Sequence, residues 1–166
     1  MKIKFIFVLL CAGLLMVSCG GKKAHKSDAA IALSGNVSSV TVVIDKNTVP
    51  ADRLEAIETH NVVSRLQNGV TELLQSRGKY AADGTVQVAI RVTDFRLRSG
   101  ASAFWLGAMA GSDFTSVDVE VTEQGKQTRH FSTDASTAMG GMIAPSPSQR
   151  VNKVCTEVSN RIVKQL

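Results

Sequence analysis

Hydrophobic and polar residues recur along this chain with two different periods, and each change of period marks a new element. Val40–Ile44, "VTVVI", is a continuous β-branched run closed by Asp45, Asn47 and Pro50, which predicts a first strand buried on both faces. From Ala51 to Arg77 the apolar positions Leu54, Ile57, Val63, Leu66, Val70, Leu73 and Leu74 fall on one stripe, predicting a single amphipathic helix ended by Gly78. Gly69 sits inside that stripe, where glycine costs about 1 kcal/mol against alanine; it is either merely tolerated or allows a close neighbour. "TVQVAIRVTDFRL" then alternates with period two. Val86, Val88, Ile90 and Val92 share one face, whereas Phe95 and Leu97 have the opposite phase, so a bulge is expected near Thr93 and Asp94. "TSVDVEVT" alternates again through Val117, Val119 and Val121, and "EQGK" predicts a hairpin turn, with Gly125 at positive φ, into "QTRHFST". Ser148–Leu166 closes the chain as a helix whose stripe is Val151, Val154, Cys155, Val158, Ile162 and Leu166, with Ser148 as its cap.

The predicted order is β-α-β-β-β-α. One wet sheet face and two amphipathic helices with stripes to bury predict an α+β fold, a two-layer sandwich in which both helices cover one face of a mostly antiparallel sheet. If the first helix returns the chain so that the second strand runs beside the first, residues 99–112 and 135–147 both emerge at one end of the sheet. The EQGK turn and the entering N-terminal segment are then at the other.

Those two connections share an unusual composition. "SGASAFWLGAMAGS" and "ASTAMGGMIAPSP" contain no Lys, Arg, Asp or Glu, although exposed turns are ordinarily polar. Two readings follow. Phe104, Trp105, Leu106 and Met109 fold back to cap the open end of the sandwich, or they join Met139, Met142 and Ile143 in a surface that contacts a protein, a lipid or a second copy of the chain. Neither run crosses a membrane, because 11 helical residues cover roughly 16 Å of a hydrocarbon core about 30 Å thick.

The N-terminus has its own grammar. Lys2 and Lys4 precede an apolar stretch, Phe5 to Val17, which is the length of a signal-peptide core and too short for a membrane-spanning helix. The following "MVSC", residues 16–19, resembles the lipobox of bacterial lipoproteins. That resemblance implies cleavage before Cys19, acylation of its thiol and of the new amino terminus, and a lipid anchor at the outer membrane on a periplasm-facing protein. Residues 1–18 are thus read as the signal, 19–39 as the lipidated cysteine and a small, polar tether, and 40–166 as one domain. Several acyl chains anchor stably where one is marginal.

This processing changes the charge and the cysteines. Loss of Lys2 and Lys4 lowers the formal charge from +5 to +3, with Lys22, Lys23 and Lys26 next to the anchor, where they meet headgroups or water. Nucleic acid is excluded as a partner, since no basic face is interleaved with aromatics. Cys11 leaves with the signal and Cys19 is acylated, so Cys155 remains alone and no internal disulfide forms.

Signatures of catalysis are missing: there is no GxSxG, no HExxH and no phosphate-cradling glycine loop. His25, His60 and His130 have no companions at ligand spacing, and neither a metal nor a cofactor is expected. Asp118 and Glu120 share a strand face and read as a solvated surface. Asp94, Arg96 and Arg98 read as a polar rim beside the apolar loops. A cleft uniting Asp94, His130 and a second carboxylate would instead favour an enzyme acting on cell-wall or lipid material.

"VTDFRLRSG", "LGAMAGS", "VDVEV", the "GK" turn and "GG" before the last helix resemble a family of bacterial envelope lipoproteins defined by a shared domain of unknown function. The resemblance covers about half the chain and implies no activity. The expectation is a non-enzymatic, lipid-anchored accessory or interaction module, with a self-assembling structural subunit as the alternative.

Overall fold

The structure, a computed structural model, describes residues 33–106, 109, 111–138 and 145–166. Cys19, the tether lysines, Met139, Met142 and Ile143 lie outside the described residues. The elements in order are β1 (Val37–Ile44), α1 (Ala51–Thr59), α2 (Val62–Ser76), β2 (Val86–Arg96), α3 (Gly100–Trp105), β3 (Asp113–Glu123), β4 (Lys126–Thr137) and α4 (Pro147–Gln165). The sheet runs β1-β2-β3-β4, with β1 parallel to β2 and the remaining pairs antiparallel. α2 packs on β1, α4 packs on β3 and β4, and the two helices pack on each other. This is the α+β two-layer sandwich that the periodicities predict.

Side-chain alternation places the core between the layers. Val42, Ile90, Val119 and Phe131 form one cross-sheet rung, and Ile44, Val92, Val117 and Thr133 form the next. Ile57, Val62, Leu66, Val70 and Leu74 from the first two helices, and Val151, Val154, Cys155, Val158 and Ile162 from α4, close over them. The expected phase slip is present as a register shift between Val92 and Asp94, which returns Phe95 to the buried face. Gln124 and Gly125 both have positive φ (50° and 77°), the backbone of a type I′ hairpin.

Several expectations are corrected. The long helix predicted over 51–77 is two helices, because Asn61 adopts a left-handed conformation (φ 51°, ψ 41°) that stops one and starts the other. Asparagine tolerates that region better than other non-glycine residues. β1 starts at Val37 and is an edge strand with Thr41 and Val43 exposed rather than buried on both faces, and β4 continues to Thr137, so residues 135–137 are strand rather than loop. The cap of α4 is Ser146: its hydroxyl accepts from the Gln149 N–H while the Gln149 side chain accepts from the Ser146 N–H. Ser148 instead accepts a hydrogen bond from Arg65. Finally, residues 99–112 contain an additional short helix, α3.

Gly69 has the close neighbour that its place in the stripe allows. A Cβ built there would lie 2.9 Å from the Ser159 hydroxyl oxygen, so α2 and α4 come close at this point and a larger residue needs that hydroxyl to turn aside.

Candidate functional site

The segment from Leu97 to Ser112 leaves the sheet between β2 and β3 and carries α3 at its tip. Its two roots are fastened separately. On the outer side, the Arg96 guanidinium donates to the Ser112 carbonyl through Nε and Nη2, at 3.0 and 2.8 Å. It does so beside Gly111, whose φ of +86° suits glycine, and where a Cβ would lie 3.3 Å from Arg96 Nη2.

The inner root is a buried ion cluster. Asp113, the first residue of β3, accepts from the Arg98 backbone N–H at 2.9 Å and from Arg98 Nη2 at 3.2 Å. Arg150, in the first turns of α4, donates through Nη1 to both Asp113 oxygens, at 2.9 and 3.0 Å, and through Nη2 to the Arg98 carbonyl at 2.9 Å. All three side chains are buried, and among the described residues Arg150 Nε has no hydrogen-bond partner. Among the described residues, two guanidiniums surround one carboxylate away from water. Such a group is held by geometry and costly to break.

From these roots the segment projects outward. The Ser99 hydroxyl accepts from the Ser102 N–H at 3.1 Å and caps α3, and the Leu106 N–H donates to the Ser102 carbonyl. Phe104 and Trp105 meet edge to face, with ring centroids 5.0 Å apart and planes at 88°. Phe104 is 40% exposed, Leu106 56%, Trp105 80% and Met109 93%. These side chains stand in solvent rather than lying over the core, so the four bring together an uncharged apolar protrusion.

Other sequence-predicted groups fall elsewhere. Arg98 is no rim residue but part of the buried cluster. Asp94 forms an ion pair with Arg53 at the surface. His130 lies across from Glu120 on the wet face of the sheet, in a shallow depression of roughly 90 Å³ shared with Val43, Ala89, Arg91 and Asp118. Asp94 does not line it, and Asp118 is engaged by the Ser132 hydroxyl at 2.5 Å. His60 ends α1, where its carbonyl accepts from Arg65 Nε. Among the described residues no group of three or more His, Cys, Asp or Glu is placed to hold a metal ion. Cys155 is buried in the helix layer, and that burial pushes its thiol up to about 12, partly offset by Arg65. It packs as an apolar side chain and is poorly reactive.

Asp113 and Arg150 were missed by sequence reasoning. Their only signal is weak, a charged residue next to each of two strongly patterned elements. Among the described residues no helix is long and apolar enough to cross a membrane.

Comparison with solved structures finds the same fold in a Xanthomonas campestris protein of the DUF330 family, at 11% identity and a TM-score of 0.51, covering 85% of this chain and 86% of that one. The PelC dodecamer from Paraburkholderia phytofirmans gives 12% identity and a TM-score of 0.42, covering 79% of this chain and 92% of that one. A minor lipoprotein from Acinetobacter baumannii gives 14% identity and a TM-score of 0.38, covering 77% and 91%. No curated protein matches the sequence. Residues 46–141, which run from the end of β1 through β4 and include the whole α3 projection, match the domain of unknown function DUF4410, and the chain belongs to that family.

Proposed function

We propose that this protein is a non-enzymatic lipoprotein of the bacterial envelope, an accessory or interaction module held to the outer membrane through acylated Cys19 and facing the periplasm. Its α3 tip contacts another envelope component, protein or lipid. The observation that carries this reading is the exposure of Trp105 (80%) and Met109 (93%) on a projection whose roots are pinned. Burying such side chains against a partner is worth about 1.5–3 kcal/mol each, enough for a few of them to dominate a contact. Met139, Met142 and Ile143, from the second uncharged connection, are assigned to the same surface by composition.

The test is photo-crosslinking in cells from a photoreactive residue at position 105 of the full-length, lipidated protein. A discrete adduct is expected. A variant that is folded and anchored yet yields no adduct would sink the reading. Anchoring is checked separately: Cys19→Ala should move the protein from the membrane fraction to the soluble fraction.

A further inference from the structure

The sheet has two edges, β1 and β4, and they differ in how they meet solvent. Along β4, Lys126, Arg129 and Asp134 place charge on the strand, and Arg161 of α4 donates through Nη1 to the Asp134 carbonyl at 2.6 Å. Charge and occupied backbone groups keep an edge strand from pairing with another chain. β1 has no such protection. Its sequence, VSSVTVVI, contains no charge, no proline and no glycine. Val43, on its open face, is 50% exposed, and among the described residues it is the one large apolar side chain standing in solvent outside residues 97–112.

The backbone hydrogen bonds show which groups of β1 face outward. Val37 is turned away from β2: its N–H donates to the Lys79 carbonyl at 2.9 Å and its carbonyl accepts from the Ala81 N–H at 3.0 Å. A bulge between Val37 and Ser39 then changes the phase, and at the other end the Asp45 N–H donates to the Val92 carbonyl of β2 at 2.9 Å. Backbone groups alternate sides along a strand. Counted back from Asp45, Val43, Thr41 and Ser39 turn toward β2, and Ile44, Val42 and Val40 turn their N–H and C=O groups outward. Among the described residues no segment pairs with β1 on that side beyond Val37.

We propose that this edge pairs with β1 of a second copy of the chain, antiparallel about a two-fold axis at Val42. The outward groups set that register. Val42 lies opposite Val42 of the other copy and Val40 opposite its Ile44, so each outward N–H of these residues meets an outward C=O. The side chains agree with it. On the open face Thr41 of each copy lies opposite Val43 of the other, which covers both exposed valines with β-branched neighbours. Past them Asp45 lies opposite Ser39, and no two like charges face each other along the strand. A two-fold contact requires a surface complementary to itself. β1 has that property, which favours a second copy over an unrelated extended peptide. The two four-stranded sheets become one continuous sheet. This surface is separate from the α3 tip, and the pairing does not depend on the proposed contact there.

The test uses full-length protein, purified in detergent from cells that co-express two differently tagged variants, Thr41→Cys and Val43→Cys. Positions 41 and 43 of opposite copies form a non-hydrogen-bonded pair with Cα atoms about 4.5 Å apart, within the span of a disulfide. Mild oxidation should give a reducible adduct carrying both tags. Either variant expressed alone should give little, because identical positions are offset by about 7 Å along the strands. Cys155 is buried and does not compete. Val43→Lys, at a half-exposed position, should leave the fold intact and reduce the sedimenting species from dimer to monomer. A monomeric wild type, no adduct from the mixed pair, or an equal adduct from Val43→Cys alone overturns the inference. Residues 20–32 of the same chain lying on this edge would give the first two results. Each of these outcomes leaves the proposed function standing, since that is read from crosslinking at position 105.

Discussion

Asp113 is the residue on which the end of the molecule turns. It is buried between two guanidiniums, and Asp113→Ala would remove the carboxylate that both Arg98 and Arg150 bind, so a loss of about 3–5 kcal/mol is expected in urea denaturation. Asp94→Ala removes the half-exposed partner of Arg53 and should cost less than about 1 kcal/mol, so the two aspartates separate by position rather than by type. Cys155 adds a pH dependence of known sign. Its folded thiol titrates near 12 against an ordinary 9.0, so its contribution to stability is complete below pH 9 and is lost as pH rises from 9 toward 12. Cys155→Ala should flatten the denaturation midpoint across that interval, and the native thiol should resist alkylation at neutral pH. None of the cluster's geometry is legible locally. Arg150 immediately precedes the apolar stripe of α4 and, as a charge, reads as part of its wet face; it is buried only because the carboxylate 37 positions earlier folds against it.

At the scale of elements, the break between α1 and α2 shows how far periodicity carries. The stripe has a six-residue gap between Ile57 and Val63, and the break falls inside that gap. It resets the phase, so Val62 is fully buried while Val63 is only partly so. Hydrophobic spacing cannot distinguish a gap in a helix from a kink, since both leave the same apolar residues available to one core. Helix pairing gives a sharper test. Gly69→Ala gains helix propensity but brings its Cβ to 2.9 Å from the Ser159 hydroxyl, which has to turn aside, and a small net loss of under about 1 kcal/mol is expected. In a Ser159→Ala background, where the nearest remaining atom is the residue 159 Cβ at 3.5 Å, the same substitution should stabilise by up to about 1 kcal/mol. A double-mutant cycle by thermal denaturation measures the difference. If Gly69→Ala is equally harmful in both backgrounds, the contact is not what selects glycine.

The whole molecule is a sandwich with its two ends given different tasks: one receives the chain, and the other displays an apolar tip. Trp105→Ala should therefore leave folding stability within about 0.5 kcal/mol of wild type by urea denaturation, as expected of a side chain 80% exposed, while abolishing contact with the partner. A loss of several kcal/mol would mean that the indole supports the fold. The order of the four strands, the closing helix, the α+β class, the bulge after Val92, the hairpin at Gly125 and the lack of charge in residues 99–112 were all legible in the sequence, because each depends on residues a few positions apart. The burial of Arg98 and Arg150 around Asp113, the meeting of Gly69 with Ser159 and the exposure of Trp105 were decided only by the tertiary structure. Those depend on which distant segments pack together, and an apolar run reads the same whether it covers a core or stands clear of one.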